Sequence, residues 1–150
     1  MSRRIVSIAD VPQTLPAIVE WERGEWGDEW TAIVAGSTTR DQVPTIFVAL
    51  DGATPIGCAM LIEYDMMSRK DLSPWVGGIF VRPEFRQQGV ASALMQHALA
   101  KAGALGIKTW WLYTASSRAL YARLGWQFVE MGEYDDVPVT IMRYDFPTGT

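Results

Sequence analysis

The amino-acid sequence predicts a single domain, residues 1–150, of mixed α/β class, and three observations support this prediction. The chain has 150 residues, of which 49% are hydrophobic, enough for one buried core. Two apolar segments, residues 45–50 and 55–64, flank the turn Asp51-Gly52 and predict an antiparallel hairpin. A strand, a helix and a strand follow, an order that favours a parallel strand pair with a right-handed crossover.

The N-terminal elements are predicted to be a short strand and two helices. Residues 4–8 have the apolar character of a strand. Asp10 is expected to cap a helix over residues 12–21, which carries Pro12 in its first turn. A second helix is expected near residues 28–35.

Strands and helices alternate in the second half of the chain. Residues 75–81 predict a strand that ends at Arg82-Pro83, and residues 89–102 have helical spacing. His97 lies off the apolar face of this helix, which favours a solvent-facing or structural role. The remaining elements are expected to be strands over residues 108–113, 126–131 and 137–144, with a short helix over residues 117–124.

Composition and charge exclude several classes of function. The formal net charge is −4, whereas proteins that bind nucleic acid through its phosphates usually carry a basic patch or a basic total, so no nucleic-acid partner is expected. The only histidine and the only cysteine, His97 and Cys58, leave no metal site and no internal disulfide, and Cys58 is expected to be buried in an apolar run. Without a long apolar segment the chain is expected to be cytoplasmic, with no membrane partner.

A short motif follows the strand over residues 75–81 and starts the longest helix. Arg86, Gly89 and Ala91 form an R-x-x-G-x-A pattern there. The unpaired backbone N–H groups and the dipole of a helix N-terminus bind anions, and small residues let an anion come close. Arg86 can add a cation and Ser92 a hydroxyl. The motif therefore predicts a pyrophosphate site outside the carboxyl end of the strand.

The motif, together with the order of strands and helices around it, resembles the GNAT superfamily of N-acetyltransferases. The loop Arg86-Gln87-Gln88-Gly89-Val90-Ala91 matches the family's R/Q-x-x-G-x-G/A loop, and residues 120–126, LYARLGW, look like its L-Y-x-x-x-G-F/W motif. The resemblance covers nearly the whole chain. It implies a mixed, mostly antiparallel sheet of six to seven strands, with the fourth and fifth strands parallel and splayed, and about four flanking helices. It also implies that acetyl-CoA is the co-substrate and that no metal is needed. The loop from Arg86 to Ser92 would then bind the pyrophosphate of the coenzyme.

Two glycines interrupt the predicted fourth strand. Gly77-Gly78 would weaken a strand, and such pairs often mark a bulge or a close backbone approach; small residues beneath Trp75 are the alternative. The resemblance implies a bulge whose freed N–H groups bind the thioester carbonyl and the pantetheine amides. In this chain those groups belong to Ile79, Phe80 and Val81.

The resemblance also suggests catalytic residues. Tyr121 corresponds to the family's general acid, although it could also be a packing residue, and Ser117 stands where many members carry a coenzyme-binding asparagine. The predicted fourth strand has no carboxylate, which departs from the family's pattern. Glu63, Asp65 and Asp71 are near enough in sequence to act as the base, or each is a solvated surface charge. Asp71 is ranked first among them, with a water relay equal to it.

The acceptor is expected to be a cationic amine. Between the two N-terminal helices, acidic residues such as Glu25 alternate with Trp26 and Trp30, and in the resembling family this region forms one wall of the acceptor site. Carboxylates attract an ammonium group and indole rings bind it by cation–π contact. Tyr134, in the turn between the last two strands, is expected on the opposite wall. The alternative is a solvated acidic helix face with the tryptophans in the core.

These observations predict an acetyl-CoA-dependent N-acetyltransferase that acts by direct attack in a ternary complex, with Tyr121 as general acid. Its partner is expected to be a small-molecule or peptide amine, and a homodimer is left open. The alternative function is a catalytically weak, GNAT-like domain that binds acyl-CoA as a sensor or interaction module.

Overall fold

Seven strands form one mixed sheet in the computed structural model, which describes residues 2–147. The strands are β1 (Arg3–Ser7), β2 (Thr45–Asp51), β3 (Thr54–Ile62), β4 (Trp75–Val81), β5 (Thr109–Thr114), β6 (Gln127–Tyr134) and β7 (Val137–Asp145). The α-helices in this part of the chain are α1 (Leu15–Trp26), α2 (Thr31–Ala35), α3 (Val90–Ala104) and α4 (Arg118–Arg123). None of these helices is both long and apolar enough to cross a bilayer.

The strand order is β1-β2-β3-β4-β5-β7-β6. β4 and β5 are parallel and meet only at Trp75 and Trp111, while all other neighbours are antiparallel. Because the parallel pair is held at one end, β4 and β5 diverge toward their carboxyl ends. The predicted fold class is therefore confirmed, including the splayed fourth and fifth strands.

Helices cover both faces of the sheet. On one face Ile18 of α1 and Val34 of α2 pack in one buried cluster with Ile46 of β2. On the other face Met95 of α3 packs with Phe47, the next residue of β2. Successive strand residues point to opposite faces, so the fully buried β2 contributes to both layers.

The N-terminal helices differ from the prediction. Asp10 caps no helix, because its carboxylate accepts a hydrogen bond from Arg40 at 2.6 Å. A 3-10 turn, Pro12–Thr14, precedes α1, and α1 continues to Trp26 rather than ending at residue 21. The second predicted helix is a 3-10 turn, Asp28–Trp30, followed by the short α2.

Candidate active site

The diverging ends of β4 and β5 open a cleft of about 600 Å³, here named the β4–β5 cleft. Most of its lining comes from the end of β4, the loop that leads into α3, and the start of α4, and Glu25 of α1 adds to it. The predicted coenzyme residues among them are Ile79, Phe80, Val81, Arg86, Gln87, Gly89, Val90, Ala91, Ser92 and Ser117, together with Tyr121. Gln88 is outside this set, because its amide faces away and accepts a hydrogen bond from Arg3 at 2.6 Å.

The loop before α3 presents unpaired N–H groups to the cleft. Gln87 has a φ of 63° and Gly89 a φ of 81°, both in the left-handed region. The first hydrogen bond of α3 runs from the N–H of Ala93 to the carbonyl of Gly89, which leaves the preceding N–H groups without a helical partner. A Cβ at Gly89 would have no atom within 4 Å. Gly89 is therefore required for the backbone turn, and the space above it is open to a ligand.

Arg86 connects this loop to β4. Its Nε donates a hydrogen bond to the carbonyl of Val81 at 2.8 Å, and its guanidinium lies 5.6 Å from the ring centroid of Phe80. The side chain is thus held in place at the wall of the cleft, where its charge faces any bound anion.

β4 has a bulge at its paired glycines. Met60 of β3 pairs with Gly77, and Cys58 pairs with Phe80, so β4 contains one residue more than β3 across this interval. Gly78 has a φ of 60°, which favours glycine. The predicted bulge is confirmed. It interrupts the β3–β4 ladder next to the cleft residues Ile79 and Phe80.

Two buried carboxyl groups lie against the bulge. A Cβ at Gly77 would collide with Oδ2 of Asp65, and a Cβ at Gly78 would be 3.2 Å from Oε1 of Glu22. The absence of side chains at both glycines therefore makes room for these acids. Burial raises the pKa of Glu22 to about 8 and the pKa of Asp65 to about 7.

Cys58 is fully buried, as predicted, and contacts the first of these acids. Its Sγ lies 3.3 Å from Oε1 of Glu22 and 3.5 Å from the carbonyl oxygen of Gly78, so the S–H can donate to either. Burial, reinforced by the charge of Glu22, raises the pKa of the Cys58 thiol. The thiol is therefore a poor nucleophile.

Asp71, ranked first from the sequence as the base, lies elsewhere. Its side chain is 62% exposed, and both carboxylate oxygens accept hydrogen bonds from Arg69 at 3.1 Å. These bonds hold the pKa of Asp71 below its ordinary value, and Arg69 also pairs with Glu130. An exposed carboxylate with a bound cation is a weak proton acceptor, so the geometry does not place Asp71 at the cleft.

Tyr121 of α4 lies at the wall of the β4–β5 cleft and is 8% exposed. Burial raises its pKa to about 12, so the hydroxyl stays protonated at neutral pH. Ser117 lines the same cleft but does not cap α4 with its side chain. Instead, Oγ1 of Thr114 accepts a hydrogen bond from the N–H of Ser117 at 2.9 Å.

A second concavity, here named the outer pocket, lies between the N-terminal helices and the β6–β7 turn. Its volume is about 480 Å³, and Trp30 and Tyr134 form its aromatic walls, with the indole N–H of Trp30 donating to the Tyr134 hydroxyl at 2.7 Å. The charged side chains that line it are all acidic: Glu29, Glu133, Asp135 and Asp136. The structure thus brings together Trp30 and Tyr134, one residue from each of the two walls that the sequence predicts.

A small inner cavity of about 20 Å³ adjoins the outer pocket and shares Trp30 and Ile33 with it. Glu22, Asp65 and Gly78 also line this cavity. Its lining further includes Trp26, which makes edge contacts with Tyr113 and Tyr134. Glu25, expected beside the tryptophans, is exposed and lines the β4–β5 cleft instead.

The sequence comparisons give one family. Residues 14–126 match the sequence model of the acetyltransferase (GNAT) family. No curated protein sequence gives a significant match.

Several solved structures share the fold. An aminoglycoside 6'-N-acetyltransferase complexed with coenzyme A is 16% identical with a TM-score of 0.76, covering 98% of this chain and 99% of that chain. An N-acetyltransferase from Staphylococcus aureus Mu50 is 17% identical with a TM-score of 0.76, covering 97% and 99%. An acyl-CoA N-acyltransferase from Pseudomonas aeruginosa is 22% identical with a TM-score of 0.68, covering 95% and 98%.

Proposed function

Because the chain belongs to the acetyltransferase (GNAT) family, we propose that it transfers an acetyl group from acetyl-CoA to a primary amine of a small molecule or peptide, by direct attack in a ternary complex. One observation carries this proposal. The β4–β5 cleft joins the loop before α3, the end of β4 and Tyr121 in a single concave surface.

Two features of the cleft suit coenzyme A. The unpaired N–H groups at the start of α3 and the open space above Gly89 match a pyrophosphate. Because β5 diverges from β4 after Trp75 and Trp111, the edge of β4 has backbone groups that can pair with the pantetheine amides as an added strand would. The thioester then lies near the bulge, where backbone N–H groups can stabilise the oxyanion.

Tyr121 is proposed as the general acid. Its hydroxyl remains protonated at neutral pH, so it can donate a proton to the departing thiolate while a proton of the attacking nitrogen replaces it. The buried Cys58 thiol does not line the cleft, which favours direct transfer over a covalent acyl-enzyme.

The outer pocket is proposed as the entrance for the acceptor. Its lining carries four carboxylates, Glu29, Glu133, Asp135 and Asp136, and neither lysine nor arginine. Such a pocket attracts ammonium groups, and Trp30 offers an aromatic face for cation–π contact. A small cationic amine or the amine of a peptide fits this chemistry.

Incubation of the protein with acetyl-CoA and a panel of amines tests the proposal. The panel contains spermidine, a lysine-containing peptide and simple alkylamines, with free thiol and acetylated product measured together. Formation of both in equal amounts supports the proposal. Stoichiometric binding of acetyl-CoA without turnover would instead favour a sensor or interaction module, for which the lack of a carboxylate in β4 is the supporting observation.

A further inference from the structure

The carboxyl group of Asp65 has an unusual environment. The side chain is 9% exposed, and it lines the inner cavity beside the β4 bulge. Burial raises the pKa of Asp65, and no hydrogen bond or cation among the described residues acts to lower it. Buried carboxylates are normally paired, because an isolated buried charge is costly. A cationic or proton-bearing partner would offset this cost.

The titratable groups that face Asp65 come from different elements and include no cation. Glu22 belongs to α1, Tyr113 to β5 and Tyr134 to β6, and Cys58 of β3 contacts Glu22 rather than Asp65 itself. Neither lysine nor arginine lines the inner cavity. An ammonium group that enters from the outer pocket is the chemical complement of this environment.

Glu22 and Asp65 cannot both ionise easily in one small cavity. Burial raises the pKa of both carboxyl groups, so the pair holds a proton near neutral pH. Glu22 is 2% exposed and its carboxylate already contacts the Cys58 thiol at 3.3 Å, whereas no hydrogen bond from a side chain of the described residues reaches Asp65. Asp65 is therefore the carboxylate of the pair whose oxygens are open to a proton from a ligand.

We propose that Asp65 is the catalytic base of the acetyl transfer, taking a proton from the primary ammonium group of the acceptor at the inner cavity. The proposal rests on the function proposed above. It supplies the base that β4 lacks. The cavity of about 20 Å³ has room for about one water molecule, which is close in size to the head of a primary ammonium group.

The proton balance of the step is complete. Asp65 removes one proton from the ammonium group, and the nitrogen lone pair then attacks the thioester carbonyl carbon, so that the C–N bond forms. The C–S bond breaks as the tetrahedral intermediate collapses, and the thiolate takes the proton of Tyr121. A second proton of the nitrogen passes to the Tyr121 oxygen through water, and Asp65 releases its proton to solvent.

The test compares Asp65→Asn with wild type, using the best acceptor of the amine panel. We expect kcat/KM at pH 7 to fall roughly 10²-fold, and the acid limb of the pH profile near pH 7 to disappear. The dissociation constant for acetyl-CoA should stay within twofold. With methoxyamine, which is already neutral at pH 7, the defect should shrink at least tenfold, because no proton has to be removed before attack. A purely structural role for Asp65 would lower both activities alike and overturn the proposal.

Matched variants exclude other carboxylates. Glu63→Gln changes an exposed carboxylate on the same loop that lines none of the three cavities, and it should keep wild-type kinetics. Loss of the acid limb in Glu22→Gln or in Asp71→Asn, with its retention in Asp65→Asn, would overturn the proposal.

A titration separates this proposal from the proposed function. The side-chain carboxyl carbon of Asp65, observed by ¹³C NMR and assigned with Asp65→Asn, should titrate with a midpoint near pH 7 in the wild-type protein. If no amine of the panel is acetylated, the proposed function fails, and the base assignment fails with it. If amines are acetylated but Asp65 titrates near the ordinary aspartate value of about 4, only the base assignment is wrong.

Discussion

The β4–β5 cleft and the inner cavity are lined by neighbouring residues of the β4 bulge, Ile79 and Gly78, but are built in different ways. The cleft has unpaired backbone N–H groups at the start of α3 and along β4. The inner cavity is formed by side chains from distant parts of the chain, including Glu22 of α1 and Asp65 after β3. Backbone geometry suits a donor that is always the same molecule, whereas side chains can be changed to suit a particular acceptor.

The two regions also differ in how they handle charge. The cleft has a cation, Arg86, that is held by the carbonyl of Val81 and faces solvent at the cleft wall. The inner cavity holds two carboxyl groups without a counter-ion, and their pKa values are raised by burial. One region is therefore prepared for an anion and the other for a cation that can give up a proton.

The largest effect is expected from Gly89→Glu, which tests the backbone N–H groups that the cleft presents at the start of α3. A glutamate there meets the pyrophosphate with bulk and negative charge, so affinity for coenzyme A should fall by about 100-fold or more. Calorimetry with coenzyme A measures this directly. Gly106→Glu is the matched control, because Gly106 also has a positive φ and open space at its Cβ but lies at the far end of α3. Equal affinities in the two variants would contradict the loop assignment.

The next effect concerns the proton donor. Tyr121→Phe keeps the buried ring but removes the hydroxyl, so turnover should fall roughly 10²-fold with little change in acetyl-CoA binding. Single-turnover thiol release is the measurement. Tyr144→Phe, in the same core layer but outside the cleft, serves as the control. Unchanged single-turnover rates would make Tyr121 a packing residue.

The cleft could be predicted from the sequence and the inner cavity could not. The loop proposed to bind coenzyme A is contiguous, residues 86–92, and its location after a strand and before a helix follows from local patterns. The burial of Glu22 and Asp65 in the inner cavity depends on tertiary contacts, which local patterns do not predict. Glu22 lies in a charged stretch that looks solvated, and its position four residues after the buried Ile18 is the one local sign of burial.

The same reason explains why Glu25 and Asp71 lie elsewhere than the sequence predicts. Asp65 and Asp71 follow β3 in one irregular segment, and both look like surface acids in the sequence. Only the fold places Asp65 against Gly77, and Asp71 against Arg69. Glu25 lines the cleft, whereas Glu22, three residues earlier on α1, lines the inner cavity with Trp30.

The buried acids should also affect stability in a pH-dependent way. The raised pKa of Glu22 means that the folded state keeps its proton to higher pH than the unfolded state does. The free energy of unfolding should therefore decrease as pH rises from about 4.5, the unfolded pKa, to about 8, the folded value. Glu22→Gln should remove the part of this decrease that Glu22 contributes, a few kcal/mol in order of magnitude, while Asp65, whose pKa is also raised by burial, keeps its own contribution. Urea unfolding at pH 5 and pH 8.5 measures this change in the free energy of unfolding. An equal change in wild type and in Glu22→Gln would contradict the titration of a buried Glu22.

The smallest effect is expected at the outer pocket, where solvent screens the charges. The double variant Glu29→Lys with Asp135→Lys reverses two of the lining acids, both of them exposed. We expect the Michaelis constant for a polyamine acceptor such as spermidine to rise several-fold, a factor that declines with added salt, while the constant for acetyl-CoA stays unchanged. Glu20→Lys is the control, since this exposed acid on α1 lines neither the pocket nor the cleft. A rise of equal size in the control would reflect the net charge of the protein rather than the pocket. Because the neutral methoxyamine gains nothing from these carboxylates, its Michaelis constant should be the same in all three proteins.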